Sequence, residues 1–344
     1  MTNTTNNIEI ITGFKFAEIA DVVFSGVFLK SQIKDLDLSN NIDVHRGDDE
    51  YIFIRKKEFE LSENDIIFCK TEYVKELFYI LKKQCNFKNI VLITQQSDLP
   101  INKKLFHKKP SCISKWYSSN VDYIHPNLIP IPLGVANFHP KNLNIENFKK
   151  QISFKNYFDQ NKKLLYLNFN PNTNFSHRKN LYQLLNWSNS DETPINHNEY
   201  KENLKNHKFS LAPWGNGIDT HRFWEILYSG SIPITKNHNL YRSFNSFPKL
   251  LVKNYKIINS VFLDKEFDKI IFNKDSFDFE ELSFNYWKRL ILSNKKDAGD
   301  KKNIVINNNM YKFIGLLPDL KHDIKSKLKF FNRIRRYIYK KIGI

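Results

Sequence analysis

The chain has 344 residues, with 53 Lys plus Arg against 36 Asp plus Glu for a net charge of +17, and 41% hydrophobic and 15% aromatic content. The length allows two cores, and the charge implies attraction to polyanions: nucleic acid, an anionic membrane or phosphorylated substrates. Cys69, Cys85 and Cys112 show no CxxC or Cys/His spacing, which argues against a disulfide framework or structural zinc and predicts reduced thiols in a cytosolic protein; no signal peptide or apolar run of ~18 residues is visible.

In chain order, residues 8–12 predict a short strand, and 51–55 and 65–69 stronger ones. Thr71 is placed to cap a helix to about residue 84, with Val74, Leu77, Phe78 and Leu81 on one face. The continuous apolar run over 89–94 suits a buried parallel strand, so strand, helix and strand make a βαβ unit. Two prolines demote 128–134 to an edge or extended segment. After a polar, Asn/Lys-rich junction over 138–161, a second alternating set is expected. It comprises a strand at 163–168, helices at 178–187 and 199–206, and strands at 209–212, 232–235 and 250–252. The pattern predicts an α/β protein of two Rossmann-like units facing a cleft. No internal repeat or long low-complexity tract interrupts it.

The window 209–234 is the most informative. It reads as strand, glycine turn, capped helix and strand, and it holds Gly215, Gly217 and Gly230 of only 10 glycines. Asp219 or Thr220 can cap the helix, and Gly230 can end it in a left-handed conformation. A helix N-terminus suits a phosphate. His221, Arg222 and Glu225 follow: Arg222 offers a planar fork for phosphate oxygens, and Glu225 an acceptor for sugar hydroxyls. The same residues also fit a surface Arg222–Glu225 ion pair beside a satisfied histidine.

Segment 210–234 resembles the donor-site signature of exostosin-like glycosyltransferases, in the branch that includes ribitol xylosyltransferases. The matching positions are Pro213, Gly215, Gly217, Asp219, His221, Arg222, Trp224, Glu225, Gly230 and Pro233. The resemblance implies the GT-B fold and sugar transfer from a nucleotide donor, generally with inversion. It places the donor ribose on Glu225. Many retaining GT-B enzymes carry a second glutamate eight positions earlier; Gly217 stands there, which favours inversion. Residues 166–178 are similar to the family's corresponding loop at Asn168, Asn174 and Arg178. Arg178 at a helix start can clamp a diphosphate, although the loop can equally be satisfied by its own Asn side chains.

On this reading, residues 1–145 form the acceptor-side unit and 146–318 the nucleotide-sugar unit. Asp98 follows a buried strand at its carboxyl end, where ligands bind in open α/β sheets, and is the expected base. Ser97 and Asp98 can also merely cap the next turn. Trp116, Tyr117, Asn120 and Gly134 resemble family positions that shape the wall, and Trp116 can stack on a sugar. Asp35-Leu-Asp37 has the Asp-x-Asp spacing of metal-dependent GT-A enzymes but sits in a polar loop without a preceding apolar strand, so no metal is expected.

Residues 319–344 are expected to form a basic amphipathic helix. From 321 onward they carry nine Lys/Arg and one Asp, with Ile324, Leu328, Phe331, Ile334, Ile338 and Ile342 at helical spacing. Such a helix suits an anionic membrane surface, or it packs on the body. The expected partners are a UDP-linked sugar donor and a glycan or lipid-linked acceptor. The expected location is the cytoplasm, at the inner face of the membrane. A nucleic-acid-binding protein is the competing class, supported by charge and aromatics but by no RNP, helix-turn-helix or zinc-finger pattern. A catalytically dead sugar-binding relative is a third.

Overall fold

The computed structural model describes residues 8–30, 42–47, 51–136, 154–191, 195–293, 295 and 299–306. Asp35, Asp37, the expected helix over 319–344 and most of the polar junction lie outside the described residues.

The first half contributes β1 (Val22–Leu29), β2 (Ile42–Gly47), β3 (Tyr51–Lys56), β4 (Glu58–Leu61), β5 (Ile66–Lys70), β6 (Ile90–Gln95), β7 (Ile101–Asn102), β8 (Ile113–Ser118), β9 (Val121–Asp122) and β10 (Leu128–Pro130). Seven of them form one sheet in the order β10-β8-β6-β5-β1-β3-β2. From β10 to β1 the pairs are parallel, whereas β3 joins β1 and β2 antiparallel. The unalternating runs of β5 and β6 are buried on both faces, as a covered parallel sheet requires. Helix α1 (Val74–Gln84) buries Val74, Leu77, Phe78 and Leu81. The buried Arg55–Glu76 ion pair, at 3.2 Å, ties it to β3.

Two local expectations differ. Thr71 does not cap α1: a 3-10 turn over Thr71–Tyr73 precedes the helix, and the Thr71 hydroxyl donates to the Gln95 carbonyl at 3.3 Å. Residues 8–12 form no strand, because their partners are single and on different segments: Ile10 bridges Ser283 and Thr12 bridges Val135.

The second half supplies β11 (Lys163–Leu167), β12 (Asn189–Ser190), β13 (His207–Leu211), β14 (Ile232–Lys236) and β15 (Leu250–Val252). They form an all-parallel sheet in the order β12-β11-β13-β14-β15. After a four-residue α2 (Lys103–Phe106) in the first half, the helices here are α3 (Phe175–Arg178), α4 (Leu181–Leu184), α5 (His197–Lys205), α6 (His221–Tyr228), α7 (Asn239–Arg242), α8 (Ser260–Phe272) and α9 (Phe284–Leu292). In place of the single helix expected over 178–187, α3 ends at Arg178 and α4 spans Leu181–Leu184; the Arg178 side chain turns inward to bond carbonyls of two loops. The molecule is thus mixed α/β with two sheets built largely of parallel strands.

Helix α6 sits at the centre of an aromatic cluster, with Phe223 4.5 Å from Tyr241 and Trp224 5.2 Å from Phe244 between ring centroids. It ends in a Schellman motif. Gly230 has φ +74°, Ser231 N donates to Ile226 O, and Gly230 N donates to Leu227 O. The halves are interlocked. Tyr228 accepts from Ile11 N and donates to Leu282 O, Phe284 N donates to Glu9 O, and β16 (Lys302–Val305) pairs antiparallel with β4. No helix among the described residues is long and apolar enough to cross a membrane.

Candidate functional site

In the second sheet the chain leaves β11 to one side for β12 and returns on the other side for β13. The loops after β11 and β13 therefore part at their carboxyl ends, and such a switch point is where open α/β sheets bind ligands. Arg178, only 5% exposed, links the two loops. Its Nε donates to Trp214 O at 2.8 Å, one Nη to Asn170 O at 3.1 Å and the other to Pro213 O at 2.8 Å. Asn174 Nδ2 donates to Gly215 O at 2.6 Å, and a Cβ on Gly215 would meet Arg178 at 3.4 Å.

Among the described residues no carboxylate pairs with Arg178. Burial, then the nearby Arg222 guanidinium, push it down to about 10. Three of its five N–H donors are engaged. Lys236, at the end of β14, lies over the Trp214 ring at 6.0 Å and adds a third cation.

Helix α6 begins beside these cations. Its N-cap is Thr220, and no side chain caps it. Among the described residues the N–H groups of His221 and Arg222 have no partner, and the Thr220 hydroxyl is likewise unpaired. Neither expected cap forms: Thr220 stands at the N-cap position without capping, and Asp219 is engaged elsewhere. Its buried carboxylate accepts from Leu133 N, Thr220 N and Trp224 Nε1, each at 2.9 Å. Its own N–H donates to Asn120 Oδ1 at 2.8 Å. Burial pushes the Asp219 carboxyl up to about 7 against these donors. Gly217 is required by the same contact, since a Cβ there would lie 2.6 Å from Asn120 Oδ1. His221 Nδ1 is 2.8 Å from Gly134 O.

Arg222 and Glu225 do not form a direct ion pair. Arg222 donates to the Tyr200 hydroxyl at 3.0 Å, and that hydroxyl donates to Glu225 Oε2 at 3.1 Å. The guanidinium lies over the Tyr200 ring at 5.1 Å. Asn168, following β11, donates to Asp191 O at 3.3 Å.

On the first sheet, Asp98 is exposed in the loop after β6. That loop reaches the α6 start through Asn120, whose Nδ2 donates to Ser97 O at 2.9 Å. Trp116 cannot stack on a sugar: it is 0% exposed, stacks on Phe106 and donates to Thr94 Oγ1 at 2.8 Å. The structure thus brings Asn174, Arg178, Gly215, Gly217, Asp219, His221 and Arg222 together at one place. Glu225 is joined to Arg222 through Tyr200, Asn168 lies on the β11 side, and Asp98 lies across the seam.

Sequence reasoning missed Tyr200, Lys236 and the His238–Asp122 pair, whose Nε2 and Oδ1 are 2.9 Å apart between the loop after β14 and β9. Only the position of Lys236 at a strand's carboxyl end could have signalled one of them. No group of three or more His, Cys, Asp or Glu suited to a metal occurs among the described residues. No family model and no curated protein matches the chain.

Proposed function

We propose that the protein is an inverting, metal-independent glycosyltransferase of GT-B architecture, similar to exostosin-like enzymes. It would move a sugar from a UDP-linked donor to a glycan or lipid-linked acceptor. The observation that carries this reading is the buried Arg178 guanidinium, held by three carbonyls and, among the described residues, no carboxylate, beside Arg222 and an uncapped helix start. Burying an unpaired charge costs several kcal/mol, and a polyvalent anion at this place offsets it.

A nucleotide-sugar diphosphate fits. Its oxygens take the remaining Arg178 donors, the Arg222 fork and the first-turn N–H groups of α6, which together supply the positive charge the leaving group needs. The meeting of both sheets at residues 217–221 supports the GT-B arrangement, with the acceptor on the Asp98 side. The ribose lies towards Glu225.

Incubation with a panel of nucleotide sugars, with released nucleoside diphosphate as the readout, tests this. Arg222→Ala is expected to lower turnover by about 10²–10³-fold with an unchanged circular dichroism spectrum. Near-normal turnover in the variant removes Arg222 from the site.

A further inference from the structure

We propose that His221 Nε2, rather than Asp98, is the base that takes the acceptor's proton; the assignment rests on the glycosyl-transfer reading above. Gly134 O can only accept, so the hydrogen bond from His221 Nδ1 at 2.8 Å fixes the proton on Nδ1. The neutral ring then carries its lone pair on Nε2.

The anchor is rigid. Gly134 has φ +74°, and a Cβ there would lie 2.3 Å from Ile11 O, so only glycine fits. On one side Leu133 N is bonded to Asp219 Oδ2, and on the other Val135 N is bonded to Ile11 O, each at 2.9 Å. The imidazole is half-buried, stands next to Arg222, and lies on the seam between the two sheets. The other acidic groups there are committed or unheld. Asp219 accepts three N–H bonds, Glu225 accepts from Tyr200, and Asp122 pairs with His238. Asp98 is exposed, with no described bond orienting its carboxylate.

In the step, the acceptor hydroxyl gives its proton to Nε2 as its oxygen bonds to the anomeric carbon from the opposite face. The bond from that carbon to the phosphate oxygen breaks, and its electron pair leaves with the nucleoside diphosphate towards Arg178 and Arg222. The imidazolium then returns its proton to solvent.

His221→Asn tests the assignment, because the Asn amide nitrogen can still donate to Gly134 O while the base is gone. The full chain is assayed with whichever nucleotide sugar the wild type turns over, and UDP binding is followed by thermal shift. Expected are a loss of about 10²–10⁴-fold in kcat, little change in donor KM, a UDP shift like that of the wild type, and loss of the acidic limb of the pH–rate profile. In His221→Ala, added imidazole restores part of the rate. Asp98→Asn stays within about tenfold of wild type. His221→Asn retaining its rate and acidic limb, or Asp98→Asn alone removing them, overturns the assignment. A wild-type chain that neither binds UDP nor turns over any nucleotide sugar overturns the transfer reading instead, and the base with it.

Discussion

The Asp219 carboxylate accepts three N–H bonds, yet burial pushes it up to about 7 from an ordinary 3.8. Between those values the folded chain holds a proton that the unfolded chain releases. The group's stabilising contribution is therefore full below pH 4 and is lost as pH rises towards 7, by an amount on the order of 4 kcal/mol at most. Urea denaturation at pH 5 and 7.5 is expected to show the wild type losing stability relative to Asp219→Asn over that interval. A difference between the two that is constant with pH contradicts this assignment. Local capping rules offer Asp219 and Thr220 alike as the cap, and they cannot show that Leu133 N, a competing donor for Asp219, lies 86 positions away. Tyr200 was illegible for the same reason. Nothing near it in the chain shows that its hydroxyl will stand between Arg222 and Glu225, one turn apart on α6.

Helix α6 shows where local chemistry does decide the outcome. Glycine at position 230 adopts the left-handed conformation that the Schellman ending demands, and the strand–turn–helix–strand order of 209–234 follows the hydrophobic pattern. Replacing Gly230 with Ala is expected to cost about 1–2 kcal/mol and lower Tm by a few degrees, with UDP affinity unchanged. An unaltered Tm means the turn does not hold the helix end. Strands β5, β6, β11, β13, β14 and β15 were similarly legible, because short, mainly apolar segments between polar ones leave little choice. The inward turn of Arg178 was not, since apolar spacing cannot reveal that its guanidinium meets carbonyls of residues 170, 213 and 214.

At the scale of the molecule, two largely parallel sheets meet where Asn120, Leu133 and Gly134 receive residues 217–221. The alternation of elements made β3, β5 and β6 of the first sheet and most of the second readable, but not β1, β2, β8 or β12, nor this seam, which joins residues about a hundred positions apart and has no periodic signature. Among the described residues, an uncapped helix start and a buried guanidinium without a carboxylate partner stand at a strand switch point, and the proposed diphosphate site rests on them. The most direct test is calorimetric titration of the full chain with UDP, GDP and their monophosphates. One diphosphate is expected to bind saturably, at least about tenfold tighter than its monophosphate and more weakly as salt is raised. Equal affinity for the diphosphate and its monophosphate, or no binding of any of the four, contradicts the diphosphate site and the transfer chemistry built on it.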